Sequence, residues 1–227
     1  MAGNNGQALQ ASANARKIIS LGLILFAVTA ITGVILGAVY EITLEPIRRT
    51  GERLRNEAMA NALPEADIFS LLEIAGGDDP AIKKVIKDVR EGARDGENAG
   101  WCVTVTPDGY GGPIEIVVGI TSDGGLRAIS ILSHSETPGL GAKAASPEFY
   151  GQYENKNAPA LTVVGSAPGG PDQIQAISGA TITSKGVTSG VNAALSYWRD
   201  NLAPAGYEGG DIAGISGASA APEGESK

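Results

Sequence analysis

Cysteine and histidine are almost absent from this chain. Its 227 residues include one cysteine, Cys102, and one histidine, His134. A single cysteine excludes a disulfide within the chain, and zinc sites and iron–sulfur clusters need several Cys or His ligands. The sequence therefore predicts that any redox chemistry here depends on an organic cofactor.

Runs of basic residues are also missing. The chain has 17 Lys and Arg against 25 Asp and Glu, which gives a formal net charge of -8. Nucleic-acid binding is driven by Lys and Arg side chains that neutralise phosphates. We therefore expect no nucleic acid among the partners of this protein.

One long apolar run is present near the N-terminus. Residues 19–40 carry no charge and are preceded by Arg16 and Lys17. At about 1.5 Å per helical residue, the run reaches the roughly 30 Å thickness of a bilayer's hydrocarbon core. The rival interpretation is a cleaved signal peptide, whose apolar region is normally about 7–15 residues long. We expect a retained transmembrane helix at 18–40, with a short cytoplasmic segment at 1–17 before it.

The charges that flank this run do not decide its orientation. Arg16 and Lys17 lie before it, whereas several arginines follow it, among them Arg48, Arg49 and Arg53. Long domains cross membranes largely regardless of the charges beside the span. The side on which the following domain lies is therefore open from charge alone.

The pattern of residues 41–203 predicts one α+β domain. A short amphipathic helix ends at Pro64, and a polar connector follows it. β-Branched runs separated by glycine turns then predict an antiparallel meander and two further short strands. The expected strands are 101–106, 114–120, 126–132, 161–164 and 173–177. Apolar residues then recur at helical spacing after Ser184, which is available as the N-cap. The Gly-, Ala-, Ser- and Glu-rich tail at 204–227 is expected to be disordered.

A hydroxyl-rich motif, AISGATITSKG, lies at 176–186 between the last strand and this helix. A strand, a glycine turn and a helix N-terminus together present free backbone N–H groups that suit an anion such as phosphate. The motif is not a P-loop, because Lys185 follows Ser184 instead of preceding it, and it lacks the GxGxxG of a dinucleotide site. Its spacing alone predicts either phosphate binding or simply a hydroxyl-rich turn that caps the helix.

The segment SGATITS at 178–184 resembles the flavinylation motif Asp-x-x-Ser/Thr-Gly-Ala-Thr of the FMN-binding domain family. Two further segments are similar to the same family, HSETPGLG at 134–141 and YEITLEPI at 40–47. This family includes the G subunit of Rnf-type ion-translocating ferredoxin:NAD oxidoreductase complexes and the C subunit of the sodium-translocating NADH:quinone reductase. The resemblance implies that Thr181 carries FMN through a phosphoester. The other residues that it assigns to the attachment segment are Ser178, Gly179, Ala180 and Thr183.

The resemblance also implies a function and a set of partners. It implies an electron-transfer component of a membrane-bound Rnf-type complex, in which electron flow between ferredoxin and NAD is coupled to ion translocation. The FMN domain is expected on the extracytoplasmic side of the cytoplasmic membrane. The implied partners are the other membrane proteins of the complex and a flavin transferase for maturation. This chain is expected to have no NAD site and no catalytic general acid or base.

The second signature, HSETPGLG, is expected to build the site for the flavin ring. Pro138-Gly139 suits a type II turn, and glycine lets the backbone approach a flat cofactor closely. The expected cofactor-binding residues here are Glu136, Thr137, Leu140, Gly141 and Lys143. Glu136 is a candidate acceptor for a ring N–H, and Lys143 a candidate partner of the phosphate; an ordinary turn charge and a surface lysine are the alternatives. Trp101 and Tyr110 are candidates for stacking on the ring, with core packing as the alternative.

The attachment motif differs from the family pattern at one position, and a second segment of the chain partly repeats it. Gln175 stands where the family motif has Asp, and Asp172 lies three residues further upstream. In the tail, GISGASAA repeats much of the motif with Ser219 in place of the threonine. We interpret this copy as chance in a low-complexity segment, because a disordered tail supplies no ring pocket.

Two other functions remain open from the sequence. One is a membrane-anchored module that binds a phosphorylated ligand without a covalent link. The other is a membrane-anchored extracellular flavin reductase that works outside a larger complex.

Overall fold

A computed structural model describes residues 4–75 and 80–204 of the chain. The chain consists of two units, of which the first ends at Arg53 and the second begins at Leu54. Nearly all of the tail that was expected to be disordered, including Ser219, lies outside the described residues. The elements, in chain order, are α1 (Asn4–Ala62), β1 (Ile68–Leu72), α2 (Pro80–Val85), β2 (Ile86–Arg94), β3 (Glu97–Val105), β4 (Glu115–Thr121), β5 (Leu126–Ser133), two 3-10 helices (Gly141–Ala145 and Gly151–Tyr153) on either side of α3 (Pro147–Tyr150), β6 (Thr162–Val164), β7 (Gln173–Gln175) and α4 (Thr181–Asn201).

The first unit is helical and contains the apolar run. The stretch Leu21–Thr43 of α1 has a mean hydropathy of 2.4, and its apolar side chains are exposed. Hydroxyl groups within it bond to carbonyls one turn earlier, for example Thr32 Oγ1 to Val28 O at 2.8 Å, so they need no water. The stretch is therefore long and apolar enough for a single-pass membrane anchor.

The amphipathic helix expected before Pro64 is not a separate element. Helix α1 continues to Ala62, two residues before the proline. Ala58 and Met59 in its last turns and Leu63 directly after it are buried. Proline disfavours a helical conformation in the residue before it, which accounts for the end of the helix.

The second unit contains a five-stranded antiparallel sheet in the order β1-β2-β3-β4-β5. Strands β3, β4 and β5 confirm the predicted meander. The polar connector predicted after Pro64 is wrong, because this part of the chain forms β1 and β2 as well as the short helix α2. The hairpin between β2 and β3 turns at Asp95 and Gly96, whose φ angles are 54° and 84°, as a tight hairpin turn requires.

Alternating residues of the central strands face two different apolar layers. Cys102 and Val117 pack with the last turns of α1. Val103 and Val118, their neighbours in sequence, pack with helix α4 in the larger core. The domain is therefore an α+β fold with helices on both faces of the sheet, as predicted.

The short strands β6 and β7 confirm the two strands expected there and pair in parallel. Side-chain amides extend both of them. Asn192 of α4 accepts from Leu161 N at 2.8 Å and donates to Leu161 O at 2.9 Å. Gln152 does the same for Gln175, accepting from its N at 2.7 Å and donating to its O at 3.3 Å. These contacts fix the backbone that leads into α4.

Candidate functional site

The site is built around the first turn of α4. The helix begins at Thr181 with Ala180 as N-cap, and no side chain caps it. The prediction that Ser184 is the N-cap is wrong, because Ser184 lies within the first turn. Its hydroxyl donates to Ala180 O at 3.0 Å and accepts from Ile177 N at 2.9 Å. The first N–H groups of α4 have no intrahelical acceptor, so they are available to an anion.

A tight turn leads from β7 into this helix. Ala180 N donates to Ile177 O at 2.9 Å, and Gly179 has φ of 77°, a conformation that favours glycine. A Cβ at Gly179 would meet Leu140 Cδ2 at 3.3 Å. The turn therefore packs directly against a residue of the HSETPGLG signature, and the two motifs meet in the folded chain.

The HSETPGLG signature forms the type II turn predicted for it. Leu140 N donates to Thr137 O at 3.1 Å, and Gly139 has φ of 79°. The 3-10 helix Gly141–Ala145 begins directly after this turn. Leu140 is thereby left 45% exposed beside the first turn of α4.

Glu136 is the buried polar centre of the site. Its Oε1 accepts from Tyr110 N at 2.8 Å and Gly111 N at 3.0 Å, and its Oε2 accepts from Thr183 Oγ1 at 2.6 Å. Burial raises the pKa of this carboxyl, but the hydrogen bonds from Thr183, Gly111 and Tyr110 outweigh burial, and the net pKa is below the ordinary value for Glu. Glu136 is therefore held in its charged form.

Two glycines make room for this carboxylate. A Cβ at Gly109 would overlap Glu136 Oε1, and a Cβ at Gly141 would overlap Glu136 Oε2 and approach Thr183 Oγ1. At Gly141, where a close approach of the cofactor was expected, the group that lies against the backbone is the Glu136 side chain.

A cavity of about 450 Å³ opens beside these residues, within the size range of small-molecule sites. It is lined by Tyr110, Glu136, Thr137, Leu140, Gly141, Gly179, Ala180, Thr181, Ile182 and Thr183. Its polar groups include the exposed Thr181 and the backbone N–H groups at the start of α4. Its apolar side is formed by Tyr110, Leu140 and Ile182, which are 72%, 45% and 57% exposed. The cavity can therefore take a ligand that carries both an anionic group and a flat apolar group.

The structure brings together eight of the residues expected to bind the cofactor. Thr181, Thr183, Gly179, Ala180, Glu136, Thr137, Leu140 and Gly141 all line this cavity. Ser178 and Lys143 instead line a neighbouring cavity of about 220 Å³, together with Gln175.

The two candidates for ring stacking are separated. Tyr110 lines the larger cavity, whereas Trp101 packs edge-on against Trp198, with ring centroids 5.8 Å apart. Sequence reasoning missed Ile182, an exposed apolar side chain in the first turn of α4. The sequence feature that could have indicated it is an isoleucine between two threonines of the motif, Thr181 and Thr183. Within residues 4–75 and 80–204, no group of three or more His, Cys, Asp or Glu side chains is arranged to hold a metal ion.

Comparison with known proteins agrees with this geometry. The FMN-binding domain family matches residues 109–196. The G subunit of the proton-translocating ferredoxin:NAD(+) oxidoreductase complex of Clostridium ljungdahlii is 39% identical over 165 residues, which are 73% of this chain and 83% of that protein. The G subunit of the Na(+)-translocating ferredoxin:NAD(+) oxidoreductase complex of Acetobacterium woodii is 34% identical over 197 residues, 82% of this chain and 93% of that protein.

A solved structure shares the fold. The C subunit of the Na(+)-translocating NADH-quinone reductase of Parabacteroides distasonis aligns with a TM-score of 0.53 at 21% identity, over 69% of this chain and 95% of that protein. At this level of identity the likeness concerns the architecture of the domain.

Proposed function

Because the chain belongs to the G-subunit family of ion-translocating ferredoxin:NAD(+) oxidoreductase complexes, we propose that it carries electrons through FMN attached to Thr181 by a phosphoester. The observation that carries the proposal is the position of Thr181. It is the first residue of α4, it is exposed, and it lines the cavity.

Neighbouring hydroxyls of the motif are less suited to attachment. Thr183 is 1% exposed and donates to Glu136, while Ser184 is fully buried and its hydroxyl bonds to the backbone of Ile177 and Ala180. Ser178 lines the other cavity. Among these hydroxyl residues, Thr181 is the one that is exposed, lines the larger cavity and lies at the N-terminus of a helix.

The first turn of α4 also suits the phosphate that the link would carry. Backbone N–H groups and the positive end of the helix dipole stabilise an anion beside Thr181. Thr181 Oγ would form the new P–O bond with a flavin nucleotide activated as a pyrophosphate. The pyrophosphate bond breaks, a nucleoside monophosphate leaves, and the hydroxyl proton passes to a base of the flavin transferase. No water is consumed or released in this exchange.

The apolar side of the cavity suits the ring. Tyr110, Leu140 and Ile182 expose apolar surface that a flat ring would cover, and covering it is favourable. Bound FMN supplies reversible electron uptake and release. The residues of this chain hold it in place, shield one face from water and keep the negative charge of Glu136 nearby.

In the cell, we propose the following arrangement. The helix at 18–40 anchors the chain in the cytoplasmic membrane, residues 1–17 lie in the cytoplasm, and the FMN-binding domain at 41–203 lies on the extracytoplasmic side. Other membrane proteins of the Rnf-type complex deliver and remove the electrons. In this proposal the chain has no NAD site of its own, and the complex couples the electron flow to translocation of sodium ions or protons.

The attachment is tested on a denaturing gel viewed under ultraviolet light. The full chain is produced with a flavin transferase, beside Thr181→Ala, Ser178→Ala and Ser219→Ala. We expect fluorescence in every lane except Thr181→Ala, because only that substitution removes the acceptor oxygen.

Other patterns on this gel would contradict the proposal. Pigment that is present in the native protein but lost on denaturation would favour a noncovalent module for a phosphorylated ligand. Fluorescence that disappears only in Ser219→Ala would move the attachment to the tail. Gentle solubilisation then tests the complex: if no other membrane protein copurifies with a flavin-loaded chain, a stand-alone extracellular flavin reductase is the better interpretation.

A further inference from the structure

One side chain connects three distant segments around the cavity. Glu136 bonds to Tyr110 and Gly111, 26 and 25 residues before it, and to Thr183, 47 residues after it. Tyr110 and Gly111 belong to the loop between β3 and β4, and Thr183 belongs to the first turn of α4. The carboxylate therefore connects the β3–β4 loop to the first turn of α4, and each of these segments contributes residues to the cavity lining.

The surroundings of Glu136 leave its oxygens little freedom. The residue is 6% exposed, and the backbones of Gly109 and Gly141 lie so close to the carboxylate that neither position has room for a Cβ. A buried carboxylate is stable only when its hydrogen bonds are satisfied, and here three donors satisfy it. Oε1 already accepts two backbone N–H groups, so its capacity is used within the protein.

Thr183 is the side chain through which the first turn of α4 bonds to Glu136. Its hydroxyl donates at 2.6 Å, and the residue is 1% exposed. Thr181, two residues earlier in the same turn, is exposed to the cavity. Fixing Thr183 therefore fixes the direction in which Thr181 is presented.

We propose that Glu136 is a positioning residue for the attachment site. Through Thr183 it holds the first turn of α4, and through Tyr110 and Gly111 it holds the β3–β4 loop beside the cavity. Its role toward the cofactor is to set the distance between the acceptor hydroxyl and the surface that receives the ring. This inference rests on the proposed attachment at Thr181.

The Thr183→Val variant tests this role because it removes the hydroxyl while nearly keeping the shape. Thr183→Ser keeps the hydroxyl and serves as the conservative variant. Thr188→Val is the matched control, since Thr188 lies in the same helix and is 3% exposed. Its hydroxyl bonds to Tyr153 Oη at 2.7 Å and to Ser184 O at 2.9 Å, and neither of these residues lines the cavity. All are made as the full chain.

Three quantities are measured on each variant: the rate of FMN incorporation by a flavin transferase, the fluorescence anisotropy of the attached flavin, and the midpoint of thermal unfolding. We expect Thr183→Val to incorporate FMN at least about tenfold more slowly, because small misplacements of a reacting group cost large factors in rate. We also expect its attached flavin to show lower anisotropy. Thr183→Ser should restore both, and Thr188→Val should lower the unfolding midpoint without changing either.

A double variant sharpens the test. Glu136→Ala removes both carboxylate oxygens, so if the two residues act through one bond, Thr183→Val should slow incorporation little further in that background. Effects of the two substitutions that simply multiply would contradict a shared role.

The outcomes separate this inference from the proposed function. If the wild-type chain gains no covalent flavin, the proposed attachment fails and this inference fails with it. If the wild type is labelled and Thr183→Val matches it in rate and anisotropy, only the positioning role of Glu136 is overturned. The inference would also be overturned if Thr183→Val and Thr188→Val lost incorporation rate and anisotropy in equal proportion to their lowered unfolding midpoints. The bond to Glu136 would then contribute only to stability.

Discussion

The first turn of helix α4 and its later turns are held in place by different forces. In the first turn, Thr183 and Ser184 are fixed by hydrogen bonds to Glu136 and to the preceding backbone. In the later turns, Val187, Val191 and Trp198 have no exposed surface and pack in the core. One helix therefore serves both the site and the core, and the two roles can be altered separately.

The largest effect on stability is expected from the later turns. Trp198→Ala should lower the free energy of unfolding by about 3–5 kcal/mol, because it leaves a large cavity in the core. The folded fraction should still attach FMN, since the first turn is unchanged. Urea unfolding of the detergent-solubilised full chain measures the first effect and gel fluorescence the second. Ser189→Ala, on the exposed face of the same helix, is the control.

An unfolding free energy within about 1 kcal/mol of the wild type would contradict this division. So would a Trp198→Ala chain that stays folded and loses attachment, since the later turns would then act on the site directly.

A smaller and pH-dependent effect is expected from the first turn. The pKa of Glu136 is lowered by its hydrogen bonds from Thr183, Gly111 and Tyr110, which outweigh the opposing effect of burial. Its charged form therefore stabilises the fold above the unfolded-state pKa of about 4.3, and this contribution is lost as the pH falls through the lower folded-state pKa. Glu136→Gln should be less stable than the wild type by about 1–3 kcal/mol at pH 7.

The difference between these two chains should shrink as the pH is lowered from neutral toward 3. Urea unfolding of both, at a series of pH values, checks this. The comparison isolates Glu136 from Glu65, Asp67 and Glu148, whose pKa values are also lowered and which both chains share. Two stability curves that stay parallel down to pH 3 would show that Glu136 makes no such contribution.

The smallest effect on stability is expected just outside the helix. Gln175 has an exposed side chain, and only its backbone is held by Gln152. Gln175→Asp should therefore change the unfolding free energy by less than about 0.5 kcal/mol. It restores the family's motif residue, so we expect faster FMN attachment, measured as fluorescence per chain over time. Gln175→Asn is the uncharged control, and equal rates in all three chains would show that the motif position has no influence here.

The sequence predicted strands β3 to β5, which form one side of the sheet, but not β1 and β2, which form the other side. Strands β3 to β5 are rich in β-branched residues and are separated by glycine turns, so their pattern is clear. In β2, the buried positions Ile86, Val89 and Gly92 are spaced by three, because the register shifts near Asp88 and again near Ala93. This spacing conceals the strand among polar residues, and a buried glycine gives no apolar signal.

The site shows a similar division. The resemblance named eight of the ten residues that line the cavity, because it rests on two motifs that the fold brings together. It did not reveal that Glu136 bonds to Thr183, since the two residues are 47 positions apart in the chain. Nor did it reveal that Ser178 and Lys143 line a separate cavity, because a motif does not state how its residues divide between neighbouring cavities.

The amide side chains of Gln152 and Asn192 have a consequence for how the domain behaves among its copies. Strands with unpaired N–H and C=O groups at a sheet edge recruit strands from other molecules and lead to aggregation. In the small sheet, these two amides occupy the place that an intruding strand would take beside Leu161 and Gln175. The backbone that leads into residues 176–186 is thereby protected from strand pairing with other copies of the chain.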